Sequence, residues 1–264
     1  MKKMTIRDIA KEAGVSVATV SYIINDIHAD KYSAETKKKV LQLVNLYDYR
    51  PSRLARAFAS SKSGNIFVVP DKQNTVFQKA ECLDFVRMLG AALEALQYNL
   101  IIKSHLKTTR FDTADAIVCL GTEEDAFLRL AQENFVPLLT VDARVHDDLF
   151  FQVSQNFEEV KSRADAAFGE GNYSPVFVDT YNEALKKEIF DVFGEAVFID
   201  GNGLERVPRG NIVTVNRALT EIPLLSDRNF LLVPALTDRR IQAVIDCFRK
   251  AVSKEEFALH KILV

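Results

Sequence analysis

TIRDIAKEAGVSVATVSYIIN, residues 5 to 25, sets the reading of the whole chain. Ile6, Ile9, Ala10 and Ala13 recur at helical spacing, Gly14 supplies the break for a tight turn, and Val15, Val20, Ile23 and Ile24 continue one apolar face. Ser16 is placed to cap a second helix, its hydroxyl accepting a backbone N–H that the first turn leaves unpaired. Two short helices joined in this way predict a helix-turn-helix, whose second helix presents Val17, Ala18 and Thr19 on its first turn and Ser21 and Tyr22 on the next. The patch carries few charges, as contact with base edges in the major groove of DNA allows. A helical hairpin with no ligand is the plainer alternative.

The next segment extends the same unit. Ser33 opens a further helix with Glu35 close behind, Val40, Leu41, Val44 and Leu46 to Tyr47 are expected to form its apolar face, and Lys37, Lys38 and Lys39 to stay in water. Three consecutive lysines usually mark a solvated face; here they sit beside a candidate DNA reader. Pro51 then leads into SRLARAFAS, a short helical stretch with Arg53 and Arg56. So short a helix with little apolar surface is marginal alone and is expected to form against a second copy and DNA.

Residues 4 to 62 resemble the lactose-repressor (LacI/GalR) family of bacterial transcription factors. The matching features are Asp8 to Ala10, the Gly-Val-Ser turn at Gly14 to Ser16, Thr-Val-Ser at Thr19 to Ser21, Asn25, the serine before the third helix, Tyr-x-Pro at Tyr49 to Pro51 and the alanine-rich hinge helix. The resemblance implies that the second helix reads the major groove while paired hinge helices enter the minor groove. On that basis Val17 and Ala18 read base edges, thymine methyls among them, and Tyr22 adds a polar contact. Thr5, Ser16, Thr19, Ser21, Asn25 and Tyr47 position the DNA backbone, and Arg53, Ala55 and Phe58 act in the minor groove. Phe58 stands where the family has a leucine wedge, and phenylalanine is itself a wedge residue.

Charge is divided unevenly. The first 62 residues hold 12 Lys+Arg against 6 Asp+Glu, a net of +6, which leaves 22 and 30 for the remaining 202, a net of −8. A basic head on an acidic body fits phosphate contacts with a salt-dependent affinity. Cys82, Cys119 and Cys247 lie far apart without metal-ligand spacing and read as buried apolar thiols in a reducing compartment. His28, His105, His146 and His260 are scattered, Asp147 and Asp148 read as a solvated loop, and the GNG at 201 to 203 lacks the strand-to-helix context of a phosphate cradle. No metal site, cofactor, signal peptide or membrane span is expected, so the predicted location is cytoplasmic, on the nucleoid.

From Asn65 onward, strands and helices alternate. NIFVVP, NLIIK, AIVCL and VPLLTV are continuous apolar runs of the kind buried on both faces of a parallel sheet, with helices expected over Val76 to Leu96 and Glu123 to Glu133. A second set begins at LFFQV and continues with a helix over Glu158 to Phe168, then SPVFVD, a helix over Asn182 to Phe193, AVFID, NIVTV and FLLVP. A helix from Asp238 to Val252 and the strand HKILV close the chain. The predicted fold is α plus α/β: residues 1–50 a helix-turn-helix head, 51–64 a hinge helix and linker, and 65–264 two parallel-sheet subdomains forming an effector and dimerisation domain.

The family resemblance extends thinly into this region and implies a periplasmic-binding-protein-like pair of lobes that clamp a small sugar or nucleobase. Asp71, Asn74 and Phe77 resemble the segment after the first strand, with Thr75 and Val76 in place of a proline and an aromatic. Asp142 and Arg144, in VDAR, resemble the end of the first lobe, and Asn156 the start of the second. Asn216 keeps one of two expected residues, its aspartate partner being replaced by Arg217. TYNEALKKEIF lacks the arginine that grips the effector in the family, and Pro234, Ala235 and Leu236 stand where an aspartate is expected. These departures predict a reduced or altered pocket, or none. The expected function is a homodimeric, sequence-specific repressor of a near-palindromic operator under small-molecule, sugar-like control. The alternative is a large domain that only dimerises or binds a protein partner. An enzyme is not expected, because no nucleophile–base or metal constellation is present.

Overall fold

The computed structural model describes residues 4–24, 31–47, 49, 63–72, 75–103, 110–147, 149–253 and 260–264. The chain divides into two compact units, Met1–Ser63 and Gly64–Val264.

In the first unit, α1 (Ile6–Ala13), α2 (Val17–Ile24) and α3 (Ala34–Leu46) pack around Ile9, Ala10, Ala13, Val20, Ile23 and Val40. Helix α1 starts with a reciprocal cap: the Asp8 N–H donates to Thr5 Oγ1 at 3.3 Å and the Thr5 N–H to Asp8 Oδ2 at 2.9 Å. It stops at Gly14, whose φ of 72° is left-handed and whose N–H meets the carbonyls of Ala10 and Lys11. The apolar face of α3 differs from expectation. Val40 is fully buried with Leu43 and Val44 beside it, whereas Leu41 and Leu46 are 46% and 71% exposed. Residues three and four apart share a helix face, while residue 41 is turned about 100° from residue 40. Lys38 and Lys39 are exposed and Lys37 is half-buried.

The second unit contains two parallel sheets. The first lobe has six strands, β1 (Asn65–Pro70), β2 (Asn99–Ile102), β3 (Ala116–Leu120), β4 (Leu138–Val141), β5 (Phe151–Ser154) and β10 (Lys261–Leu263), in the order β10-β5-β4-β3-β1-β2. The second has four, β6 (Ser174–Val178), β7 (Val197–Ile199), β8 (Asn211–Thr214) and β9 (Asn229–Leu232), in the order β7-β6-β8-β9. Ile66 and Val68 face one core with α4 (Val76–Glu94) and the long helix α9 (Asp238–Ser253). Phe67 and Val69 face another with α5 (Glu124–Glu133), which explains why these runs are apolar throughout. Phe177 packs with α6 (Phe157–Phe168) and α7 (Glu183–Phe193), and Val176 and Val178 pack with the short helix α8 (Arg217–Thr220) on the opposite face.

One expectation is corrected. The sequence pattern opens the second set of strands at LFFQV, but β5 belongs to the first sheet, with Leu139 paired to Phe151, and the closing strand β10 joins it there, with Ile262 paired to Val153. The chain crosses to the second lobe after β5 and returns after β9. An apolar strand carries the same local pattern in either sheet, so its partner is a tertiary choice. The three cysteines are buried free thiols, as expected, with burial pushing Cys119 up to about 12 and Cys247 up to about 11. Among the described residues no helix is long and apolar enough to cross a membrane.

No atom lies within 4 Å of a side chain added at Gly14, so the backbone alone sets the penalty for substitution there. Gly14→Ala should cost the head about 1 kcal/mol and speed amide exchange in α1 roughly fivefold, with Gly14→Asn milder, as read by hydrogen exchange on the full chain.

Candidate nucleic-acid interface and inter-lobe cleft

Helix α2 carries no charged residue. Ser16 Oγ accepts the Thr19 N–H at 3.0 Å and lies 2.9 Å from the Thr19 hydroxyl, so both hydroxyls are engaged in capping. Val20 and Ile23 turn into the head core, leaving Val17 and Ala18 exposed on the first turn and Tyr22 one turn later on the same side. Val17, Ala18 and Tyr22 thus share one exposed face. Thr5 is exposed and its hydroxyl serves the α1 cap, donating to Asp8 Oδ2 at 2.7 Å. The Tyr47 hydroxyl donates to Glu12 Oε1 at 2.7 Å, tying the end of α3 to α1 and raising its own pKa. Ser21 is half-buried beside Tyr22. Asn25, Arg53, Ala55 and Phe58 lie outside the described residues, as does Asn74 in the large unit.

In the large unit, the carboxyl ends of both sheets converge on one cavity of about 180 Å³. Asp71, Gly121 and Asp142 reach it from the ends of β1, β3 and β4, and Asp179 and Asn216 from the ends of β6 and β8. This is where open parallel sheets place their ligands, because the connections there leave a crevice. Of the sequence-predicted effector residues, Asp142 and Asn216 line it. Phe77, Arg144 and Asn156 do not: Phe77 packs against the second-lobe core, Arg144 grips Glu188 with two hydrogen bonds, and Asn156 caps α6 by accepting the Glu159 N–H at 3.2 Å.

Several side chains tie the lobes together directly. Gln78 Nε2 donates to the Asp179 carbonyl at 2.9 Å, and Glu81 Oε1 accepts the Ala218 N–H at 3.1 Å. Asn182 caps α7 through its Oδ1 and donates from Nδ2 to the Gly121 carbonyl at 3.2 Å. Within the second lobe, Lys186 Nζ lies 3.1 Å from Asp179. Arg240, only 2% exposed, pairs with Asp142 and donates to the Ala235 carbonyl at 2.9 Å. Asp142 has a φ of +52°, a conformation that aspartate tolerates better than most residues.

Gln78, Glu81, Asn182 and Arg240 were not singled out from the sequence. Glu81 interrupts the apolar stripe of α4 between Gln78 and Phe85, and Arg240 precedes Ile241 and Val244 on the buried side of α9; those interruptions are the signal they left. Burial raises the carboxyl pKa of both Asp71 and Glu81, against hydrogen bonds that lower it.

Residues 5–52 match the family of bacterial regulatory proteins described as the lacI family, so the chain carries a LacI-family helix-turn-helix head. It is 29% identical over 162 residues to the HTH-type transcriptional regulator RegA of Clostridium saccharobutylicum, covering 57% of this chain and 47% of that one. It is 28% identical over 215 residues to catabolite control protein A of Staphylococcus aureus, covering 76% and 63%. The chain spans about half the length of the first curated relatives it matches. The crystal structure of the Lac repressor dimer bound to operator aligns with a TM-score of 0.66 at 16% identity, over 100% of this chain and 96% of that one. The fold is therefore Lac repressor-like: a helix-turn-helix head followed by two periplasmic-binding-protein-like lobes.

Removing the buried guanidinium strands Asp142 and the Ala235 carbonyl, so Arg240→Ala should lower the stability of the large unit by about 3 kcal/mol in urea unfolding of the full chain. Glu81→Gln should act oppositely at high pH. Glu81 has a raised folded pKa, so its favourable share of stability is complete below the ordinary carboxyl range and is lost as pH rises through the raised value. The variant should melt above wild type near about pH 8 and converge with it near about pH 4.

Proposed function

We propose that this chain is a cytoplasmic transcription repressor that binds a near-palindromic operator as a homodimer and answers to a small molecule held between its lobes. The uncharged, outward-facing first turn of α2, within a head that matches the lacI family, carries this reading. A helix that reads bases needs side chains that tolerate loss of water at the base edge, and Val17 and Ala18 can touch thymine methyls without stranding a polar group. Affinity then comes from the basic residues around it. Arg7, Lys11, Lys38 and Lys39 are exposed on the head, where phosphate contacts position the reader.

Thr5, Ser16, Thr19, Ser21 and Asn25 position the DNA backbone in this proposal, while Arg53, Ala55 and Phe58 work in the minor groove. Tyr47, joined to Glu12, does so through the shape of the head rather than as a free donor. A second reading, in which the large unit only dimerises, draws support from the direct links between lobes: Gln78, Glu81 and Asn182 spend hydrogen-bonding groups on the protein across the crevice.

Selection from randomised DNA should return an inverted repeat with half-sites about one helical turn apart. The Val17→Ala, Ala18→Gln double variant should select different bases at the positions α2 faces. Recovery of the wild-type sequence by the variant would remove Val17 and Ala18 from base readout. Binding should also weaken steeply with salt.

A further inference from the structure

One face of α4 serves both lobes. Phe85, Leu89 and Leu93 lie in the first-lobe core, and residues 81 and 77 continue the same face one and two turns earlier. Eight residues of helix span about 12 Å, which carries Phe77 from that core to the second-lobe core that holds Val178 and Ile199. The start of the helix is held firmly. The Gln78 N–H donates to Thr75 Oγ1 and the Thr75 N–H to Gln78 Oε1, each at 3.1 Å, while Gln78 Nε2 donates to the Asp179 carbonyl at 2.9 Å. One amide thus caps α4 and grips the opposite lobe. The GNG at 201 to 203 meets the same turn: a Cβ added at Gly201 would stand 3.9 Å from the Phe77 ring and 4.0 Å from the Thr75 Cβ. Gly201 has a φ of 105°, which glycine adopts without steric penalty.

This contact lies at the mouth of the cleft. On the cavity wall Arg240 is 2% exposed, whereas Tyr181 is 40% exposed and Lys72 is exposed too, so the cavity opens beside the ends of β1 and β6. The chain passes between the lobes after β5 and again after β9, and β5 stands three strands from β1 in the first sheet. Strand spacing makes that distance about 14 Å. Hinge movement at the crossings therefore displaces the β1 end most, and Phe77 is an apolar side chain that bridges the lobes there.

We propose that the first turn of α4 is a latch: Phe77, seated in the second lobe, holds the cleft closed, and its withdrawal opens the cavity to solvent. Gln78 and Glu81 release the Asp179 carbonyl and the Ala218 N–H in the same movement. The sequence pattern reads Phe77 as a ligand contact; in the latch it acts from outside the cavity wall. The latch concerns movement of the lobes and goes beyond the reading of the chain as a repressor.

Cys82 supplies the readout. It lines the cavity one turn after Gln78 and is 8% exposed, while Cys119 and Cys247 are fully buried elsewhere. Alkylation by iodoacetamide is followed at each cysteine of the full chain by peptide mass spectrometry, with operator binding measured on the same preparation. Loss of the buried ring favours the open cleft, so Phe77→Ala should react at Cys82 at least about tenfold faster than wild type, and Phe77→Leu less than about threefold faster. Neither should react faster at Cys119 or Cys247. Thr75→Cys combined with Gly201→Cys is the second variant, because a Cβ separation of 4.0 Å suits a disulfide. Its oxidised form should react at Cys82 at least about fivefold more slowly than its reduced form, and this comparison decides if Phe77→Ala folds poorly. A wild-type Cys82 rate in Phe77→Ala, equal acceleration at all three cysteines, failure of the disulfide to form, or equal Cys82 rates in its two redox forms would overturn the latch. Operator binding retained alongside any of these would leave the DNA reading intact and remove this one.

Discussion

A buried guanidinium holds the large unit together where its two sheets meet. The carboxyl ends of parallel strands leave backbone carbonyls and polar connections facing a crevice, and whatever stands there must satisfy them without water. Arg240 does so from the first turn of α9, the helix that returns the chain from the second lobe to the first. It neutralises Asp142 at the end of β4 and takes the Ala235 carbonyl just before its own helix. Aspartate in a left-handed conformation and a proline-led return segment are tolerable because one side chain answers both.

The cleft is then defined by residues that tie lobe to lobe. Phe77, Gln78 and Glu81 all leave the first turns of α4 toward the second lobe, one into its core, one to the Asp179 carbonyl and one to the Ala218 amide. Arg144 and Glu188 add a pair at the rim. Family resemblance expects an arginine after β6 and aspartates after β8 and β9. Here the positive charge comes from α9 instead, and the amide groups left at the strand ends are turned onto the protein. The result is a pocket whose wall mixes carboxylates, amides, a lysine and apolar side chains.

In the proposed function the head separates specificity from affinity in physical terms. Helix α2 is uncharged, and the capping bonds of Thr5 with Asp8 and Ser16 with Thr19 fix the orientation of both short helices. Short helices have little stability of their own, so caps and a six-residue core set their geometry. In the proposed function, the positive excess of the first 62 residues attracts any duplex, while choice of sequence falls to a few side chains at the start of α2.

The helix-turn-helix was legible in residues 5 to 25 because every determinant is local: apolar positions at helical spacing, a glycine at the turn, serine and threonine at the caps. The alternation of strands and helices from Asn65 was legible for the same reason, and the observed elements begin and end within a few residues of those expected. Sheet membership of β5 and β10 was not, since an apolar strand reads alike beside any neighbour. Nor was the exposure of Leu41 and Leu46, which depends on where α1 and α2 lie. The cleft was the least visible part. Glu81 and Arg240 look like surface charges in amphipathic helices, and Arg144 and Asn156 look like ligand-binding residues. Their roles follow from which side chain lies within hydrogen-bond distance after both lobes have folded. Sequence determined the elements and the exposed first turn of α2, where neighbours in the chain suffice; tertiary structure alone decided which groups meet across the cleft, because Gln78 and Asp179 are 101 residues apart along the chain and Glu81 and Ala218 are 137 apart.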